Sequence, residues 1–192
     1  FWESPSRPWF LLLPQSGKPV AVIPSIGAAL MSKTWITDIR TWSSPDLEDD
    51  GLSLLASAIE DRVSKSGRIA VPSGHETHLR MPLSDFERLK AALPLYEFAS
   101  DQGIMRSLRM VKSEAEIAKI KTACEIAGRA FDRVPEIAQQ GRPVDAVFRD
   151  FQSLCLQEGA DWVPYLAGGH GALGYGDVIS PAGPELLQPG DA

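Results

Sequence analysis

His170 is the residue of this 192-residue chain best placed for chemistry, lying in Ala167-Gly168-Gly169-His170-Gly171 at the end of an apolar run, where its ring could face a pocket. An imidazole titrates near neutral pH and can move a proton. His75 and His78 share the segment Ser73-Gly74-His75-Glu76-Thr77-His78. That spacing could hold a metal only with a further ligand from elsewhere, and a solvated loop is the plainer reading. Cys124 and Cys155 fall in helical stretches without Cys-x-x-Cys or Cys-His spacing, which reads as buried free thiols rather than a disulfide or a metal site. Asp177, Tyr175 and Asp191 have plain readings as turn carboxylates and a sheet-filling aromatic. Arg7 reads as an exposed side chain ahead of a strand.

These residues need elements to hold them. Trp9 to Leu13 is an apolar run short enough for a buried strand, Pro14 to Pro19 a turn, and Val20 to Ile23 the returning strand of a hairpin. A short helix fits Ile26 to Lys33, and a strand fits Ile36 to Trp42. Gly51 to Lys65 is expected as the first long helix, with Leu52, Leu55, Ile59 and Val63 on one face and Gly67 as its terminator. A strand over Arg68–Val71 and a helix over Leu83–Ala92, stopped by Pro94, follow. Strands alternating with helices imply a layered α/β domain.

Ser113 and Glu116 then have capping-box spacing, ahead of a helix expected to run to about Gln140. Ile117, Ile120, Cys124, Ala127, Phe131 and Val134 recur on one face of it. Val144 to Gln157 is the next helix, with Val147, Phe148, Phe151, Leu154 and Cys155 as its apolar side and Gly159 at its end. Asp161 to Leu166 is expected as a strand leading into the glycines around His170.

Composition narrows the function classes. At 44% hydrophobic and 23% charged the chain is ordinary for a globular protein, and a net charge of -6 argues against a general polyanion-binding surface, so nucleic acid is not expected as a partner. No apolar run approaches the roughly 18 residues of a membrane-spanning helix, and no secretory signal is visible. A membrane partner is therefore not expected, and a cytoplasmic location is the default expectation.

The order of residues in Arg109 to Phe131, with its Arg-x-Val-Lys-Ser-x-x-Glu-Ile opening, resembles the start of the catalytic domain in the creatinase, prolidase and Xaa-Pro aminopeptidase family. The resemblance implies an α/β fold: a creatinase-type N-terminal domain over 1–108, its start missing, and over 109–192 the truncated beginning of a pita-bread catalytic domain. It implies a hydrolase that cleaves an amide or C–N bond with metal-activated water, acting on a peptide or a small amide or amidine, usually as a homodimer. Gly190-Asp191 matches the Gly-Asp pair ahead of the first ligand strand. The family's divalent pair (manganese, cobalt or zinc) would then be held by residues after Asp191. The 192 residues alone are accordingly expected to bind no metal, to be inactive, and to be poorly soluble, with unpaired edges after Asp161.

By the same resemblance His170 is a candidate catalytic residue, Tyr175 and Asp177 candidate substrate contacts, and Arg7 a candidate partner for a substrate carboxylate. The chain departs from the family where a His-Tyr pair is common: Gly174 precedes Tyr175. A metal-free creatinase-like amidinohydrolase and a non-catalytic peptide- or protein-binding module are the alternatives.

Overall fold

The computed structural model describes residues 7–172, 176 and 179–191. The backbone forms two compact units, the first ending at Val111 and the second beginning at Lys112.

In the first unit, strands β1 (Phe10–Leu12), β2 (Val20–Pro24) and β3 (Asp38–Trp42) form a sheet in that order. β1 runs antiparallel to β2, as a hairpin requires, with Leu11 opposite Ala21. β3 is parallel to β2, with Ala21 opposite Ile39. The connection from β2 to β3 carries a single 3-10 turn (Ser25–Gly27) and helix α1 (Ala28–Met31). Every residue of β2 is buried. That explains why Val20-Ala21-Val22-Ile23 is continuously apolar rather than alternating: both faces of this central strand are covered.

One face meets helix α2 (Leu52–Arg62) and helix α3 (Leu83–Ala92), where Val20, Val22, Trp42, Leu52, Leu55, Ala58, Ile59, Leu89 and Leu93 form the main core. Ala21, Ile23 and Ile36 form a second cluster with Trp9 and Met31. Strands β4 (Arg68–Val71) and β5 (Glu97–Ser100) make a separate parallel pair joined through α3, and Phe86 of α3 meets Phe98 of β5 edge-on with ring centroids 5.6 Å apart. Helix α4 (Ile104–Met110) closes the unit, its first amides held by the buried carboxylate of Asp101, which accepts from the N–H groups of Gly103 and Met105.

Two helices of this unit begin on a left-handed glycine. Gly51 precedes α2 with φ +87°, and a Cβ there would lie 2.6 Å from the Trp42 ring. Gly103 precedes α4 with φ +80° and open space around it. α2 ends at Arg62, earlier than expected, so Gly67 is not its terminator. Val63 is already extended, Ser66 takes the left-handed conformation, and Gly67 donates to the Ser64 carbonyl in a separate turn.

The second unit is built on helices α5 (Glu114–Asp132), α6 (Val134–Ile137) and α7 (Val144–Gln157). The expected capping box is present: Ser113 Oγ accepts from Glu116 N–H at 3.4 Å, and Glu116 Oε2 accepts from Ser113 N–H at 2.8 Å. The single helix expected from Ser113 to about Gln140 is broken at Arg133. Pro135, which supplies no N–H and crowds the preceding turn, instead starts α6.

Ala130, Ile137, Leu154 and Cys155 form the core of this unit, with Val147, Phe151 and Val163 packed against them. The expected buried face of α5 is corrected in part. Ile117, Ile120 and Phe131 are about half or more exposed, and Cys124 is exposed rather than buried. At the other end of the pair, Arg129 and Arg133 both bond the Glu158 carboxylate and tie α5 to the end of α7. Gly159, at φ +109°, lets Ala160 donate to Cys155 and Gly159 to Leu156, the paired bonds of a Schellman ending.

The expected strand over Asp161–Leu166 does not form among the described residues. Pro164 lacks a ladder donor, and the segment is held by other bonds: Tyr165 Oη donates to the Ile179 carbonyl at 2.9 Å, and Gly168 N–H to Ser180 at 3.0 Å.

Candidate functional site

His170 is positioned from two sides. The glycine segment before it lies over α7, where a Cβ on Gly168 would sit 3.2 Å from Phe148 Cζ, and Gly168 has φ +152°. From the other side comes Asp191, whose Oδ2 lies 2.9 Å from His170 Nδ1. Asp191 belongs to a turn of its own, donating from its N–H to the Gln188 carbonyl and accepting from Gln188 N–H at Oδ2, 2.8 Å away. The Gln188 amide, and after it the His170 bond, hold the Asp191 carboxyl below the usual aspartate range, with burial opposing.

An ionised carboxylate can only accept. The shared hydrogen of the pair therefore sits on His170 Nδ1, and in the neutral ring Nε2 is left as an acceptor. The His170 side chain is 23% exposed and that of Asp191 11%. Asp191 is the turn residue that the sequence predicts; its bond to His170 is not legible there, because 21 residues separate the two and nothing in either local pattern couples them.

Arg7 belongs to the first unit and His170 to the second. Arg7 donates to Asp50 Oδ2 at 2.7 Å beside the β1–β3 sheet, so a substrate carboxylate at this guanidinium would compete with Asp50. Among the described residues Asp50 Oδ1 is buried without a hydrogen-bond partner. Tyr175, Asp177 and the Gly174 departure lie outside the described residues. His75 and His78 are exposed on the loop after β4. Two shallow concavities lie in the first unit. One of about 430 Å³ is lined by Arg62, Lys65 and Tyr96, the other, of about 300 Å³, by Asp49 and Arg88, and neither contains a candidate residue. No group of three or more His, Cys, Asp or Glu side chains among the described residues could hold a metal ion. Two adjacent cations need several hard oxygen ligands, so these residues do not fit such a centre. No helix among them is long and apolar enough to cross a membrane.

No family model matches the chain. Among curated proteins it is 29% identical, over 175 residues, to the "Probable dipeptidase PepE" of Mycobacterium tuberculosis, an alignment covering 87% of this chain and 44% of that protein. It is 32% identical over 81 residues to the Xaa-Pro dipeptidase of Pyrococcus horikoshii, covering 42% of this chain and 23% of the other. The chain thus spans less than half the length of these relatives. Among solved structures, dipeptidase PepE from Mycobacterium ulcerans matches 99% of the chain with 48% of its own, at TM-score 0.68 and 28% identity. Recombinant prolidase from Thermococcus sibiricus shares the fold over 96% of the chain and 48% of its own, at TM-score 0.77 and 21% identity. The α/β architecture is accordingly that of the first half of these peptidases. The family that this chain resembles, in sequence and in fold alike, is the pita-bread family of prolidases, Xaa-Pro dipeptidases and dipeptidase PepE.

Proposed function

We propose that these residues form the first part of a hydrolase that cleaves an amide bond in a short peptide. The observation that carries this reading is the likeness to dipeptidase PepE, which extends through both units of the chain in sequence and in fold. In the proposal the full-length protein holds a pair of divalent cations (manganese, cobalt or zinc) on residues other than those described, supplying a polarised water for attack at the carbonyl. His170 faces the reaction, Tyr175 and Asp177 line the substrate, and Arg7 meets a substrate carboxylate. The working form is a cytoplasmic homodimer.

One observation favours a second reading. The His170–Asp191 pair is the kind of group a metal-free amidinohydrolase would use, so guanidino substrates belong in the same assay. The test is turnover of a panel of dipeptides, Xaa-Pro peptides and guanidino compounds, with and without Mn²⁺, Co²⁺ or Zn²⁺. The full-length protein is expected to hydrolyse at least one dipeptide in a metal-dependent way, and the 192-residue chain none. Turnover by the chain alone would defeat the argument that it lacks the ligands. Turnover of guanidino compounds only, without metal, would replace the peptidase reading with the second one.

A further inference from the structure

We infer that Asp191 is a positioning residue, fixing His170 with its proton on Nδ1 so that Nε2 serves as the proton carrier of the hydrolysis. The inference rests on the hydrolase reading above and extends it to one carboxylate and one ring nitrogen.

Three observations lead there. First, the Asp191 turn is closed without His170: its N–H reaches the Gln188 carbonyl and its carboxylate already accepts from Gln188 N–H. The bond to the imidazole is additional to what the turn needs. Second, Nδ1 is the nitrogen engaged, at 2.9 Å, and Nε2 has no partner among the described residues. Among the described residues the ring is therefore oriented at one end and open at the other. Third, the ring is 23% exposed and leaves a glycine-rich backbone, so it is anchored yet reachable. A buried histidine staple would use both nitrogens. A solvated surface histidine would have neither end fixed.

The chemistry balances without any further reactant. As the water oxygen bonds to the scissile carbonyl carbon, its proton passes to Nε2, giving a tetrahedral adduct and an imidazolium held against the Asp191 carboxylate. Collapse of the adduct breaks the C–N bond. The imidazolium returns the proton to the departing nitrogen, leaving a free acid, a free amine and the neutral ring.

Two measurements test this. In the ¹⁵N-histidine-labelled chain the imidazole nitrogen shifts report the tautomer, with His170→Asn assigning the signals and the exposed His75 and His78 serving as internal references. His170 is expected as the Nδ1–H tautomer. That preference should weaken in Asp191→Asn, whose carbonyl can still accept from Gln188, and disappear in Asp191→Ala. An Nε2–H tautomer in the unsubstituted chain overturns the proposal without any variant having to fold.

In the full-length protein, His170→Ala is expected to lower kcat about 100-fold with KM within about threefold. Asp191→Asn should lower kcat about tenfold, again with little change in KM. A rise in KM alone, or unchanged kcat in His170→Ala, overturns the proton-carrier role and leaves the hydrolase reading standing. Absence of turnover in the unsubstituted full-length protein overturns the hydrolase reading and this role with it, and the tautomer still decides whether Asp191 sets the ring.

Discussion

Replacing Gly51 by alanine separates two costs that are usually confounded. At φ +87° an alanine sits in the left-handed region, at about 1–2 kcal/mol. The stiffer unfolded chain returns about 0.4–1 kcal/mol of that. Gly103→Ala carries only these two terms, because φ is +80° and nothing lies within 4 Å of the new Cβ. A net loss of about 0.5–1 kcal/mol is expected there. Gly51→Ala adds a collision, since the Cβ would lie 2.6 Å from the Trp42 ring, which is itself in the main core beside Leu52 and Leu55. Overpacking of that kind costs about a further 1–3 kcal/mol.

Gly51→Ala should therefore destabilise the first unit by about 2–4 kcal/mol. Urea unfolding followed by tryptophan fluorescence reads it. With a slope of about 1–3 kcal/mol per M, its midpoint should fall about 1 M further than that of Gly103→Ala. Equal losses in the two variants would refute the steric argument. They would mean that the Trp42 ring moves aside at no cost.

Removing the cap by Ser113→Ala should cost about 1 kcal/mol and speed amide exchange in the first turn of α5, and unchanged exchange there would count against the capping box. Acid should unfold the chain in a defined window. Arg40 beside Asp38, Arg129 and Arg133 beside Glu158, and the Ser113 N–H on Glu116 lower these carboxyl pKa values in the folded state. Their stabilisation is thus complete above the ordinary values of 3.8 for aspartate and 4.5 for glutamate and is lost as pH falls through the lowered ones. A urea midpoint that stays flat down to pH about 3 would contradict this. With a thiol reagent, exposed Cys124 should react at once. Cys155, buried and with its thiol pKa raised by burial, should wait for unfolding, so two rapid equivalents would place it elsewhere.

Much of the architecture was legible because local chemistry dictates it. The bounds of α3 and α7 follow from Pro94, Pro143 and the apolar spacing, and the capping box at Ser113 follows from two residues three apart. The misreadings have equally local causes. Pro135 inside an otherwise helical pattern should have ended α5, and Pro164 inside an apolar run should have argued against a strand. The exposure of Ile117 and Ile120 is of another kind. Periodicity says which residues share a face of a helix, but what covers that face depends on the rest of the fold. The His170–Asp191 pair is the least legible feature, since it exists only once the chain has folded back across 21 residues.

That fold-back has a temporal consequence. The N-cap of α7 is Pro143, which offers no side-chain cap, and two first-turn amides are satisfied from far downstream: Val144 donates to the Glu185 carbonyl and Asp145 to that of Gly183. Along the same strip Gly141 donates to the Leu187 carbonyl, and Leu187 donates to that of Arg142. During synthesis the helix can coil as soon as it emerges, yet its leading turn stays hydrated until some forty more residues have been made. Closure of this front turn therefore waits for Gly183 to Leu187, and a nascent chain that pauses near Ser180 would present α7 with its front end still open.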